Sequence, residues 1–171
     1  MADALPGYLI QSTVAYPEDP RYRLLLGDYA PHADRRLQDN ASSSEHALTA
    51  LALLKYSKLL RENSTAAEAA RVTAVGLLNL LARDEGSRLA VGQDPRTASL
   101  AYLALAELDK AETSGDLTQL AAAAREGAER AFRNERGFAE NLSPEDRALV
   151  AAALKTREAI DAAWLSVGPE L

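Results

Sequence analysis

The chain has no cysteine, only two histidines and one methionine, and few aromatics: two phenylalanines, one tryptophan and six tyrosines in 171 residues. Without cysteine, disulfide scaffolds, thiolate zinc sites, iron–sulfur clusters and thiol nucleophiles are excluded. With Met1 the lone methionine, a haem axial ligand would have to be His32 or His46. Branched aliphatics are scarce as well, two Ile and six Val against 35 Ala and 28 Leu. That balance favours helix and starves a sheet of the residues it prefers. Long apolar runs are missing. The densest, 47–54, is broken by Thr49 and falls well short of the ~20 residues a membrane span needs. The first seven residues have neither a basic n-region nor an apolar h-region, so a secretory signal is not expected and a cytoplasmic location is. A net charge of −6 without a basic half argues against nucleic acid or anionic lipid as a partner.

Hydrophobic residues make up 47% of the chain and charged residues 26%, ordinary values for a folded domain of this length. Residues 1–41 stand apart. They hold four of the seven prolines (Pro6, Pro17, Pro20, Pro31) and four of the six tyrosines (Tyr8, Tyr16, Tyr22, Tyr29). Proline at that density forbids a long helix and predicts an irregular N-terminal arm, 1–41, packed on the remainder. One or two short helices are expected within it. The first would open at Asp19-Pro20 and fail near Gly27, and the second would span about 31–38.

From residue 42 onward helix signals recur. Ser42-x-x-Glu45 predicts a capped helix to about 62, and Thr65-x-x-Glu68 one that ends at Gly86 as a C′ glycine. Asp94-Pro95 predicts a helix over 95–113, Asp116-x-x-Gln119 one ending near Gly137, and Ser143-Pro144 a last one to Gly168-Pro169. The short links after the first and third of these helices imply two antiparallel hairpins, with a turn at 87–91 between them. The expected fold is therefore all-α, a bundle of five long helices (42–171) made of two helical hairpins plus a C-terminal helix. The hairpins are only loosely similar to each other, and a 34-residue helical repeat pattern does not fit them.

Within helix 65–85, Ala67, Ala70, Ala74, Leu77, Leu78 and Leu81 recur at three- and four-residue spacing and predict a core stripe. Gly76 interrupts an adjoining apolar face, which predicts close approach of another helix. Asn79 on that face is a candidate ligand-binding amide; the plainer account is a bond to a neighbouring backbone carbonyl. Trp164 closes one end of the bundle or anchors a partner.

No hydrolase elbow, phosphate-binding loop, dinucleotide fingerprint or His-Glu-x-x-His motif occurs. If the arm folds back, His32 and His46 could meet beside Asp28, Asp34 and Glu45 as a divalent-metal site, although Glu45 is already explained by capping. No metal or other cofactor is therefore assigned, and an enzyme is not the leading expectation. Tyrosines among prolines, a composition enriched at interfaces, are the strongest lead. The expected function is a non-catalytic protein–protein interaction protein, an adaptor, chaperone or structural subunit, with Tyr8, Tyr16, Tyr22 and Tyr29 contacting a protein partner or a second copy. Two alternatives remain open: a ligand-sensing domain with a pocket near Gly76 and Asn79, and a metal-dependent enzyme or binder using His32 and His46.

Overall fold

The computed structural model of the chain describes residues 4–16, 19–26, 29–30, 35–36, 41–60, 64–108, 114–133, 137–139, 141–155, 158–160 and 162–163. It is mostly helical, with little sheet. In chain order the elements are α1 (Ala4–Gln11), β1 (Thr13–Tyr16), β2 (Asp19–Leu25), β3 (Tyr29–Ala30), β4 (Arg35–Arg36), α2 (Ser43–Leu59), α3 (Thr65–Arg83), α4 (Glu85–Gln93), α5 (Pro95–Leu105), α6 (Gly115–Ala131), β5 (Phe132–Arg133), β6 (Gly137–Phe138) and α7 (Pro144–Leu154). The strands form three separate antiparallel pairs, β1 with β2, β3 with β4, and β5 with β6.

Helix starts follow side chains that satisfy the first free N–H groups. Ser42 and Glu45 form a reciprocal capping box, with the Glu45 N–H donating to Ser42 Oγ at 3.3 Å and the Ser42 N–H to Glu45 Oε2 at 2.7 Å. Two starts differ from expectation by one or two residues. Ser64, not Thr65, accepts from the Ala67 N–H, and Ser114, not Asp116, accepts from the Leu117 N–H. In both cases the serine is the residue still in extended backbone.

The stretch expected to be a turn at 87–91 is the helix α4, and Gly86 lies in its first turn rather than terminating α3. Asp84 explains the difference: it ends α3 with its N–H on the Leu80 carbonyl and starts α4 by accepting the Ser87 N–H at 2.7 Å. The chain re-enters helix at once, so no left-handed glycine is needed. Asp94 repeats the device between α4 and α5, where Pro95 takes the first helical position. α5 ends at Leu105, short of the expected 113, and residues 109–113 lie outside the described set. α6 stops at Ala131, where the chain turns into the β5–β6 pair and Phe132 meets Phe138 at 4.8 Å. α7 is interrupted at Lys155, which adopts φ 53, instead of running on to 168; residues 158–160 and 162–163 are helical again. Trp164 lies outside the described residues.

The arm departs furthest from expectation. Residues 19–25 form a strand, not a helix; Arg35–Arg36 pairs with Tyr29–Ala30, so the helix expected over 31–38 is absent there; and an unexpected helix precedes both. At Asp19 the carboxylate takes the Arg21 N–H at 3.0 Å and the Arg21 guanidinium at 2.7 Å, satisfying locally what a helix start would have used. Thr13, Val14, Tyr16 and Tyr22 supply the β-branched and aromatic residues that a strand pair favours. The register runs from Thr13 opposite Leu25 to Tyr16 opposite Asp19, with an irregularity between Ala15 and Tyr16.

Alanine and leucine build the interior. Leu53, Leu54, Leu77, Leu78, Leu81, Leu117 and Leu120 are all but inaccessible and pack with Ala47, Ala50, Ala74, Ala104 and Ala124. Each such leucine contributes about 1.5–3 kcal/mol by leaving water. α2 packs on α3 and α5, α5 on α6 and α7, and α4 on α6. A smaller cluster, Phe132, Val150, Ala151 and Ala159 with Ala131, closes the α6–α7 end. Strand β2 lies along α3, and Leu25 enters the main core.

Candidate functional site

The candidate site is the face on which the arm meets α3. Gly76, Asn79 and Arg83 follow one another at three- and four-residue spacing, which places them on one side of a helix. β2 runs over that side. A Cβ at Gly76 would lie 2.7 Å from Arg23 Cγ and 3.0 Å from Arg23 Cβ, so the glycine is a seat for a strand, not for the helix expected from sequence. Asn79 donates from Nδ2 to the Arg21 carbonyl at 3.4 Å. The Arg83 guanidinium lies 4.7 Å from the centre of the Tyr22 ring and 5.8 Å from that of Tyr16. Arg21 approaches the Tyr22 ring as well, at 5.9 Å. A cation over a ring at such distances is attracted by its π face, and here one arginine engages a tyrosine from each strand of the hairpin. The Arg21 guanidinium beside Asp19 holds that carboxyl down to about 2.

His46 makes the second attachment. The ring is 4% exposed, with Nε2 accepting the Leu25 backbone N–H at 3.0 Å and Nδ1 2.9 Å from the Ser42 carbonyl. Since a carbonyl can only accept and an N–H only donate, the ring is neutral, with its proton on Nδ1. Burial holds its pKa below the ordinary 6.5. Both nitrogens are spent within the fold, which leaves His46 no lone pair for a metal while Leu25 stays in place. His32, Asp28 and Asp34 lie outside the described residues, and no group of three or more potential metal-ligating side chains occurs among the described ones.

The four arm tyrosines have different positions. Tyr8, on α1, is 62% exposed. Tyr16 and Tyr22 are half-buried against Arg83. Of Tyr29 only the backbone is described, paired with Arg36. Val14 on β1 is also exposed. Asn79 is half-buried beneath the arm, and its amide meets the arm's own backbone.

The residues that sequence reasoning missed are Arg83, Arg21 and the anchoring role of His46. The spacing of Gly76, Asn79 and Arg83 was a usable signal for a shared face, whereas nothing local to His46 points to Leu25.

An open groove of about 460 Å³ lies elsewhere, lined by Leu48 of α2, Arg96 and Leu100 of α5, and Glu145, Ala148 and Leu149 of α7. Among the described residues no helix is long and apolar enough to cross a membrane. Comparisons with family models, with curated proteins and with solved structures find no match to this chain.

Proposed function

We propose that the chain is a non-catalytic protein–protein interaction protein that meets a protein partner, or a second copy of itself, through its N-terminal arm. The helices then act as a scaffold, two antiparallel hairpins, α2–α3 and α5–α6, closed by the C-terminal helical segment. The observation that carries this reading is the exposure of Tyr8 at 62% and Val14 at 39% on an arm anchored by Arg83 and His46. An aromatic held on a preorganised platform loses little entropy on binding and supplies large contact area. Tyr16, Tyr22 and Tyr29 extend the same arm. The reading carries with it a cytoplasmic site of action and no nucleic-acid or lipid partner.

The test compares the full chain with its Tyr8→Ser, Val14→Ser double variant, both verified as folded by circular dichroism. A protein captured by the first and lost with the second, or a self-association seen in sedimentation only for the first, supports the proposal. Equal behaviour of the two baits refutes it for this surface.

A second reading, a ligand-sensing helical domain, is favoured by the Leu48–Leu100–Leu149 groove, which is large enough for a small apolar ligand. In that reading the ligand site moves away from Asn79. Melting-temperature shifts with amphiphilic small molecules, abolished by Leu100→Gln, would support it.

A further inference from the structure

The bond between His46 and Leu25 joins residues 21 apart in sequence, and it depends on a single protonation state of the ring. Nε2 must present a lone pair to the Leu25 N–H. A proton on Nε2 would set two donors face to face at 3.0 Å, in a site where water has almost no access. Nδ1 cannot take over, because it already gives its hydrogen to the Ser42 carbonyl.

We propose that His46 is a proton-operated latch on the N-terminal arm: the neutral ring pins the end of β2 to the start of α2, and protonation lets that end of the arm go. The inference concerns how the arm is attached, and it stands whether or not the arm meets a partner.

The electrostatics of the pocket set the direction. His46 lies in the first turn of α2, where a positive charge opposes the helix dipole. The charge that acts on the ring is Glu45, which favours protonation, but its carboxylate is held by the Ser42 N–H and hydroxyl. Of the groups at α4, whose start meets that of α2 through Ser43 and Ser87, Asp84 is taken up by the Ser87 N–H. Neither it nor Glu85 or Arg88 acts on the ring. Arg21 of β2 pairs with Asp19, Arg23 of β2 donates to Thr13 Oγ1, and Arg83 of α3 lies by the tyrosine rings. Burial outweighs the help that the Ser42 carbonyl and then Glu45 give to protonation, and it keeps the proton affinity of the docked ring below the ordinary imidazole value. An undocked arm leaves the ring in water with its usual affinity for a proton. Acidification below about 6.5 therefore favours undocking by up to about tenfold per pH unit, and the effect stops growing once the docked ring itself protonates. Well above 6.5 the stabilisation from the latch is complete.

The experiment is amide hydrogen exchange on the full chain at pH 7.5 and pH 5, with rates corrected for the intrinsic pH dependence of exchange. It is run beside an NMR titration of the imidazole nitrogens and a His46→Gln variant. The amide oxygen of Gln accepts an N–H but does not titrate. The proposal expects the Leu25 and Leu24 amides to lose protection at pH 5, by no more than about thirtyfold, while core amides such as Leu78 in α3 keep theirs. It also expects a pyridine-type Nε2 signal at pH 7.5, whose shift on acidification coincides with that loss, and an arm whose protection does not respond to pH in His46→Gln. Unchanged arm protection at pH 5 overturns it. So does a ring that already carries its proton on Nε2 at pH 7.5, or a His46→Gln arm that responds to pH as the wild type does. The wild-type exchange and the imidazole signals decide the matter even if the variant does not fold.

Discussion

Replacing Gly76 by alanine separates the arm from the bundle energetically. The added methyl would sit 2.7 Å from Arg23 Cγ, 3.0 Å from Arg23 Cβ and 3.4 Å from the Arg21 carbonyl oxygen. A turn about χ1 can carry Cγ away and the carbonyl stands at ordinary contact distance, but Cβ is fixed to the strand backbone, so β2 must still shift by a few tenths of an ångström. Overpacking of this kind costs about 1–3 kcal/mol. The same substitution removes a flexible residue from the interior of a helix, a gain of about 1 kcal/mol. The two terms act on different equilibria. The helical gain holds whether or not the arm is docked, whereas the clash exists only when it is. Docking of the arm should therefore weaken roughly 5- to 150-fold, while the helical melt stays level or rises by about 2–4 °C. Hydrogen exchange across Val14–Tyr16 and Leu24–Leu25 reads the first quantity, and a circular dichroism melt reads the second. Unchanged or slower exchange in the arm would refute the reasoning, because β2 would then not rest on Gly76.

Gly127→Ala should behave oppositely, since its methyl would meet Ala98 Cβ at 2.8 Å and the Val91 carbonyl at 2.9 Å, atoms fixed on two other helices. The whole bundle should lose up to about 2 kcal/mol and melt several degrees lower, with arm and core affected together. Arg83→Gln removes the cation beside Tyr16 and Tyr22, and arm exchange should rise about fivefold for a loss near 1 kcal/mol, with the global melt unmoved. Ser42→Ala removes the capping box and should cost about 1 kcal/mol in chemical denaturation at pH 7. Bonding to Ser42 holds the Glu45 carboxyl below its ordinary 4.5, so this stabilisation is complete above that value and is lost as pH falls through the folded one. The difference between wild type and Ser42→Ala should accordingly shrink at pH 3.

The bundle was legible in sequence because its signals are local. Ser42, Asp94 and Ser143 cap the helices they were expected to cap. Of the stripe Ala67, Ala70, Ala74, Leu77, Leu78 and Leu81, all are buried as the spacing required except Ala67, near the start of α3, which is half-buried. Errors concentrate where one residue serves two elements. Asp84 was invisible as a cap because Gly86, two positions on, offered a more familiar stop. In the arm, composition misled: a chain poor in valine and isoleucine argues against sheet on average, yet Thr13-Val14-Ala15-Tyr16 gathers β-formers in one place. Asp19-Pro20 carries the same letters as a helix start and differs only in what the Asp19 carboxylate binds. The attachment of His46 to Leu25 was not legible at all, since it depends on where β2 crosses α2 and α3.

The unequal depth of the two parts has a consequence for any function carried by the arm. The helices share an interior of fully buried leucines, whereas in the described part of the arm Leu25, Thr13 and Pro6 are the buried side chains. Other ties are the Asn79 and His46 bonds, the cation over the rings and the packing of the half-buried Leu9 and Ile10 against the core. Each polar tie is worth on the order of 1 kcal/mol, and one of them depends on a proton. The arm buries few side chains completely, so it should open as a unit of its own. In hydrogen exchange under rising denaturant, β1–β2 amides should join a low-energy opening before any amide of α3 or α6 does. A single opening shared by arm and helices would mean that arm and bundle are one cooperative body, and neither a latch nor a separable docking arm would then be compatible with the molecule.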